Sequence, residues 1–201
     1  QVAVVAVSLH KSWQLGLAAM LASHALVLWG TMRPDSRLFS PVLRRLPVAD
    51  RRLWLTIDDG PSDDTRPMLE LLDSHAAKAT FFVVGERAQA RPDLLREIVR
   101  RGHGIGNHST THPQAWFWAL SPRRMREEIS RAQARLRELS GVTPRWFRAV
   151  VGMANPFVAA VLRDERLARV AWSARGFDGV RSDPTRVVAR TKDGAWVQVT
   201  S

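Results

Sequence analysis

The chain has 201 residues, enough for one domain with a substantial core, and its 45% hydrophobic and 24% charged residues make an ordinary globular balance. It contains no cysteine, which excludes disulfides, thiolate metal sites and thiol catalysis. The formal net charge of +11, mostly arginine spread along the chain, fits an anionic surface such as lipid headgroups; no nucleic-acid motif accompanies it, and no nucleic-acid partner is expected.

The chain opens on Gln1 and not on Met, which reads as a fragment or a processed form. Residues 2–9 are apolar, and His10, Lys11 and Ser12 could turn the chain into a longer uncharged run from Trp13 to Met32. That run has the length of a membrane span, about 20 residues, with Trp13 and Trp29 near its ends. A buried core helix and a signal-peptide remnant are the alternatives. Arg33, Arg37, Arg44, Arg45, Arg51 and Arg52 follow, and the positive-inside rule places that side in the cytoplasm. The expected organisation is a membrane segment (1–32), an Arg-rich linker (33–52) and a catalytic domain (53–201). That domain is expected at the cytoplasmic face of an inner membrane.

Beyond the linker, strands and helices alternate. Residues 53–57 (LWLTI) form an apolar strand ending at Asp58, and 65–75 have helical spacing. Residues 80–84 (TFFVV) predict a second strand that Gly85 stops. Pro92 suits a first helical position, and Gly102 ends that helix. Residues 104–107 read as a third strand. The clearest helix starts at Ser121-Pro122, with Met125, Ile129, Ala132, Leu136 and Leu139 on one face, and stops at Gly141. Residues 146–147 and 169–173 predict short strands with a helix over 155–164 between them. Asp183-Pro184 caps another helix, and 195–200 form a last strand. Repeated strand–helix units predict an α/β sheet or barrel with parallel pairing.

The reactive groups follow the strands. Thr56-Ile57-Asp58-Asp59-Gly60-Pro61 puts two adjacent carboxylates at a strand's C-terminal end, where barrel enzymes keep their chemistry. Like charges so close repel, and a cation on one carboxylate relieves this while leaving the other as a base. His108-Ser109-Thr110-Thr111-His112 spaces two histidines at i and i+4, which predicts both imidazoles on one face of a single helical turn, within reach of one ion. One carboxylate with two histidines is a common hydrolytic metal set with positions open to water.

Together and in this order, the two motifs resemble the polysaccharide deacetylase family (the NodB-homology domain, carbohydrate esterase family four). The stretches AlaThrPhePheValValGly at 79–85 and GlyHisGlyIleGlyAsnHis at 102–108 resemble its second strand and the approach to its histidines. The resemblance implies a distorted (β/α) barrel of fewer than eight strands, here preceded by an N-terminal hydrophobic helix. It implies Asp58 as general base and Asp59, His108 and His112 as ligands of a metal, usually zinc. It implies Arg148 as the arginine that orients the base and the backbone N–H of Val151 as oxyanion donor. The implied substrate is an N-acylated amino-sugar glycan or a lipid-linked sugar.

The chain departs from the family's pattern in three places. Val150 replaces a proline after Arg148, Asp178 is a weak match for a later aspartate, and Thr200 stands where the family carries its terminal, leaving-group-protonating histidine. Loss of a general acid typically costs on the order of 100- to 10,000-fold in rate. A metal- or carbohydrate-binding pseudoenzyme, or a truncated fragment, is therefore the alternative to an active hydrolase. A membrane-surface module driven by the linker arginines is the third reading.

Overall fold

The structure is a computed structural model that describes residues 13–45, 53–175 and 196–200. Helix α1 (Trp13–Met32) coincides with the uncharged run. It is apolar on every side, and Trp13, Leu21, Leu28 and Trp29 are exposed along it. It is the one helix among the described residues long and apolar enough to cross a membrane. Protein covers little of it, so it is not a core helix.

The domain follows as β1 (Trp54–Asp58), α2 (Thr65–Ser74), β2 (Ala79–Val83), α3 (Gly85–Ala90), α4 (Pro92–Arg100) and β3 (Gly104–Asn107). Then come α5 (Pro122–Ser140), β4 (Trp146–Phe147), α6 (Val158–Asp164), β5 (Ala168–Arg169), β6 (Ala174–Arg175) and β7 (Trp196–Thr200). Short 3-10 turns at Phe117–Ala119 and Val150–Gly152 flank the site described below. The expected helix at 183 lies outside the described residues.

Among the described residues every strand pair is parallel, in the order β5-β4-β3-β2-β1-β7-β6. Short strand–helix connections produce this, because each helix carries the chain back to start the next strand in the same direction. Of the strand expected over 169–173 only Arg169 lies in a strand, at the end of β5; β6 begins just past that stretch, and the two occupy opposite edges of the sheet. Only residues 170–173 separate them, a reach of at most about 18 Å for extended chain. The sheet therefore curls round until its edges nearly meet, which is the incomplete barrel expected.

Local sequence explains the helices. The Ser121 hydroxyl caps α5 by accepting from the Arg124 N–H at 3.3 Å, Pro122 takes the first turn, and Gly141 ends the helix in left-handed conformation (φ 72°). Met125, Ile129, Ala132 and Leu136 are buried on its inner face. Ile57, Phe81, Leu95, Ile98 and Leu136 form one core cluster, and Phe117, Met125, Ile129, Phe147 and Val158 a second. Gly85 ends β2 as expected but also starts α3, an element the sequence reading lacks. Its N–H donates to the Ser109 carbonyl at 2.9 Å, and a Cβ there would meet the Thr110 backbone at 3.3 Å. The glycine thus lets α3 lie against the histidine loop.

The start of the linker packs on the domain. The Ala154 N–H donates to Thr31 O at 3.4 Å, and a Cβ at Gly152 (φ 77°) would come within 2.6 Å of Pro34. Further on, Leu43 makes a parallel bridge with Val170 beside β5.

Candidate metal centre and active site

The strand ends bring the singled-out residues together. Asp58 is the last residue of β1, Asp59 follows it, and the histidines follow β3, two strands away in the sheet. Asp59 Oδ1 lies 3.3 Å from His108 Nε2 and 2.9 Å from His112 Nε2, and the ring centroids of the histidines are 4.8 Å apart. Despite these distances the buried Oδ1 has no aligned hydrogen-bond partner. Three ligand atoms, all within 4.8 Å of one another, face a shared point and do not pair along donor–acceptor lines. Their chemistry fits a divalent metal, one hard oxygen and two imidazole nitrogens.

Burial alone raises the Asp59 carboxyl pKa, but the adjoining His108 and His112 outweigh it and hold the group well below the usual carboxylate range. Burial likewise lowers His108, yet Asp59 beside it and the charge of Asp58 turn the net shift upward. The Nδ1 of His108 donates to the Arg148 carbonyl at 2.9 Å, which leaves Nε2 to face Asp59.

Asp58 is held apart from this cluster. Arg148 Nη1 donates to its Oδ1 at 2.6 Å and to Thr56 Oγ1 at 2.8 Å, with both charged side chains buried. Its guanidinium carbon stacks 4.1 Å from the Phe82 ring and 5.7 Å from Trp172. Burial lowers the Arg148 pKa, and Asp58 opposes that shift. The second Asp58 oxygen points towards His108, 4.0 Å from Nε2. One carboxylate thus joins the histidines and its neighbour is paired with arginine.

The loop geometry corrects one expectation. Residues 108–112 are not a helical turn: Ser109 and His112 have positive φ (70° and 57°), and the segment is a tight irregular loop. Other contacts bring the imidazoles together. Glu128 Oε2 on α5 accepts from the Thr110 and Thr111 N–H groups at 3.0 and 2.9 Å, and its Oε1 accepts from Thr111 Oγ1 at 2.8 Å. Ser109 Oγ accepts from the His112 N–H at 3.1 Å. Asn107 Oδ1 accepts from the Ser109 N–H at 3.0 Å, while its amide donates to Gln133. Glu128, Thr56, Phe82 and Trp172 were not singled out in the sequence.

Of six non-glycine residues with positive φ among those described, four are Asp59, Ser109, His112 and Val151. For Val151 (φ 45°) this is costly because its side chain is β-branched, and such strain gathers at functional sites. Val151 lies in the turn directly after Arg148, and Val150 is buried in the second core cluster where the expected proline is missing. Position 200 is the β7 register partner of Asp58. Asp178 lies outside the described residues.

The chain belongs to the polysaccharide deacetylase family, which it matches over residues 45–169. It is 34% identical over 141 residues to a chitooligosaccharide deacetylase of Bradyrhizobium sp. (strain ANU 289), covering 69% of this chain and 64% of that protein. It is 33% identical over 140 residues to a peptidoglycan-N-acetylglucosamine deacetylase of Bacillus cereus, covering 68% of this chain and 50% of that one. The chain thus spans less than two thirds of either relative. The fold also matches BA3943, a CE4 family pseudoenzyme from Bacillus anthracis, with a TM-score of 0.73 at 25% identity over 80% of this chain and 58% of that one. A mutant of that pseudoenzyme has restored enzymatic activity.

Proposed function

We propose that the chain removes an N-acyl group from an amino-sugar glycan or a lipid-linked sugar, using a divalent metal, zinc first among them, held by Asp59, His108 and His112. The observation that carries this is the convergence of Asp59 Oδ1 and both Nε2 atoms beside a separately anchored Asp58. When bound, the metal supplies a Lewis acid and an activated water. Asp58 takes the proton released as the amide carbonyl is attacked. Arg148 fixes the angle of that carboxylate, and burial of the pair keeps Asp58 from turning to solvent. The Val151 N–H, on its strained turn, donates to the developing oxyanion.

The lipid-linked substrate and a membrane location rest on α1. Its end touches the turn that follows Arg148, through Thr31 with Ala154 and Pro34 with Gly152. The site therefore stands close to the foot of the helix, within reach of a sugar carried at a membrane surface. With the linker arginines, this supports a catalytic domain (53–201) held at the cytoplasmic face behind a membrane segment (1–32) and a linker (33–52). A reporter fused after Ser201 that is active only outside the cytoplasm overturns that side.

Elemental analysis of the purified chain against His108→Ala/His112→Ala tests the site: about one metal per chain, lost in the double variant, is expected. Acetate or formate release from a polyprenyl-linked amino sugar, compared with chitin oligomers, tests the substrate. A second reading, a metal-binding pseudoenzyme, is favoured by threonine at position 200 and valine at 150. It requires bound metal without turnover on either substrate.

A further inference from the structure

Arg169 is the second buried arginine of the domain, and no carboxylate answers it among the described residues. It is 3% exposed at the end of β5. Its Nη2 donates to the carbonyls of Ser36 and Ser40, the latter at 3.2 Å, while Nε and Nη1 have no acceptor. The buried Ser40 hydroxyl beside it is unpartnered as well. Arg148 shows the usual solution, a carboxylate at 2.6 Å; here a buried cation meets only carbonyl oxygens. Burial, unopposed by any counter-charge, pulls the Arg169 pKa down to about 10.

These atoms lie beneath a surface groove of about 670 Å³, the size of a small-molecule site. Its walls are mostly apolar, with Val42, Leu43, Leu162 and Leu167 among them, and the exposed Arg37 and Arg163 also line it. One wall is residues 37–43 of the linker, which follows the apolar helix α1 by a few residues.

We propose that this groove binds a membrane lipid by its phosphate headgroup, the phosphate meeting Ser40, Arg169 and the flanking arginines and the chain lying on the apolar walls. A guanidinium fork matches phosphate oxygens in a way that a bare point charge does not. The mostly apolar walls favour a lipid over free phosphate. The bilayer as source of the lipid rests on the reading of α1 as a membrane helix. The groove is a second site, on residues that take no part in the metal cluster.

The test uses the full chain in dodecyl maltoside micelles, titrated calorimetrically with dodecyl phosphate and, separately, with inorganic phosphate. Dodecyl phosphate is expected to bind saturably at a single site and about tenfold or more tighter than inorganic phosphate. Arg169→Gln is expected to weaken it about tenfold or more. Because that variant can fail to fold, Ala159→Trp provides the second arm: it fills the groove from α6 and leaves every arginine in place. It is expected to abolish the preference for dodecyl phosphate while its circular dichroism matches that of the parent. A folded Ala159→Trp that binds dodecyl phosphate as the parent does, or inorganic phosphate binding as tightly as dodecyl phosphate, overturns the proposal. The micelle titration needs no bilayer. Flotation with neutral phosphatidylcholine vesicles tests the membrane helix separately, and a chain that does not float sinks that reading alone.

Discussion

Thr200 and Asp58 are register partners on adjacent parallel strands, β7 and β1. The position at which the family resemblance calls for a histidine therefore lies beside the proposed general base. Thr200→His is expected to raise kcat on N-acetylglucosamine oligomers by about 100-fold, the lower range of general-acid catalysis, with metal content unchanged. Initial-rate assays of parent and variant decide it. An unchanged rate in a variant that still binds metal favours the pseudoenzyme.

Arg148 and Asp58 form a buried ion pair whose halves depend on each other. Arg148→Ala leaves a buried carboxylate without its partner and is expected to cost about 3–5 kcal/mol of stability. Denaturant unfolding of parent and variant in the same detergent measures this. A loss below about 1 kcal/mol, the scale of an exposed pair, contradicts the burial described.

Glu128 binds no proposed ligand but spans the loop between two of them. Glu128→Ala is expected to weaken metal binding about 10- to 100-fold while removing no ligand atom. Glu128→Gln, whose amide oxygen can still accept from the two N–H groups, should fall between. Competition with a fluorescent chelator gives the three dissociation constants, and equal values remove the loop clamp from the account.

Metal affinity should also depend on pH. The His108 pKa is raised above its ordinary 6.5 in the metal-free protein, and metal requires the unprotonated ring. Protons therefore begin to compete above pH 6.5, and below the shifted pKa affinity falls about tenfold per pH unit for each competing proton. The same chelator titration at pH 8, 7 and 6 should show progressive weakening. A constant affinity across that range contradicts the raised His108.

The chemistry was more legible in the sequence than the contacts that support it. Asp58, Asp59, His108 and His112 could be singled out because carboxylates and imidazoles stand where apolar runs end. Arg148 is one of many arginines, and only the family resemblance marked it. The i,i+4 spacing of the histidines suggested a helix, whereas the loop is shaped by Asn107, Ser109 and Glu128, contacts that periodicity does not carry. A signal for the α5 contacts was present: Gln133 falls within the stripe of Ile129, Ala132 and Leu136, and Glu128 stands four residues before Ala132. Polar groups on the apolar side of an amphipathic helix need partners. The strand order, with the last strand β7 next to the first, β1, is a long-range pairing that no local pattern encodes.

Leu43 has a bearing on how this protein can be handled. Its N–H donates to Arg169 O at 2.9 Å, and its carbonyl accepts from the Ala171 N–H at 2.8 Å, so it occupies the side of β5 that β4 leaves free. The family match begins at residue 45, just past it. A soluble piece cut at that boundary sheds the apolar helix but also strips the seam of the barrel, baring a backbone edge that a second molecule can pair with. Keeping residues from 34 onward retains that seam, and the piece is then expected to stay monomeric where the shorter one aggregates.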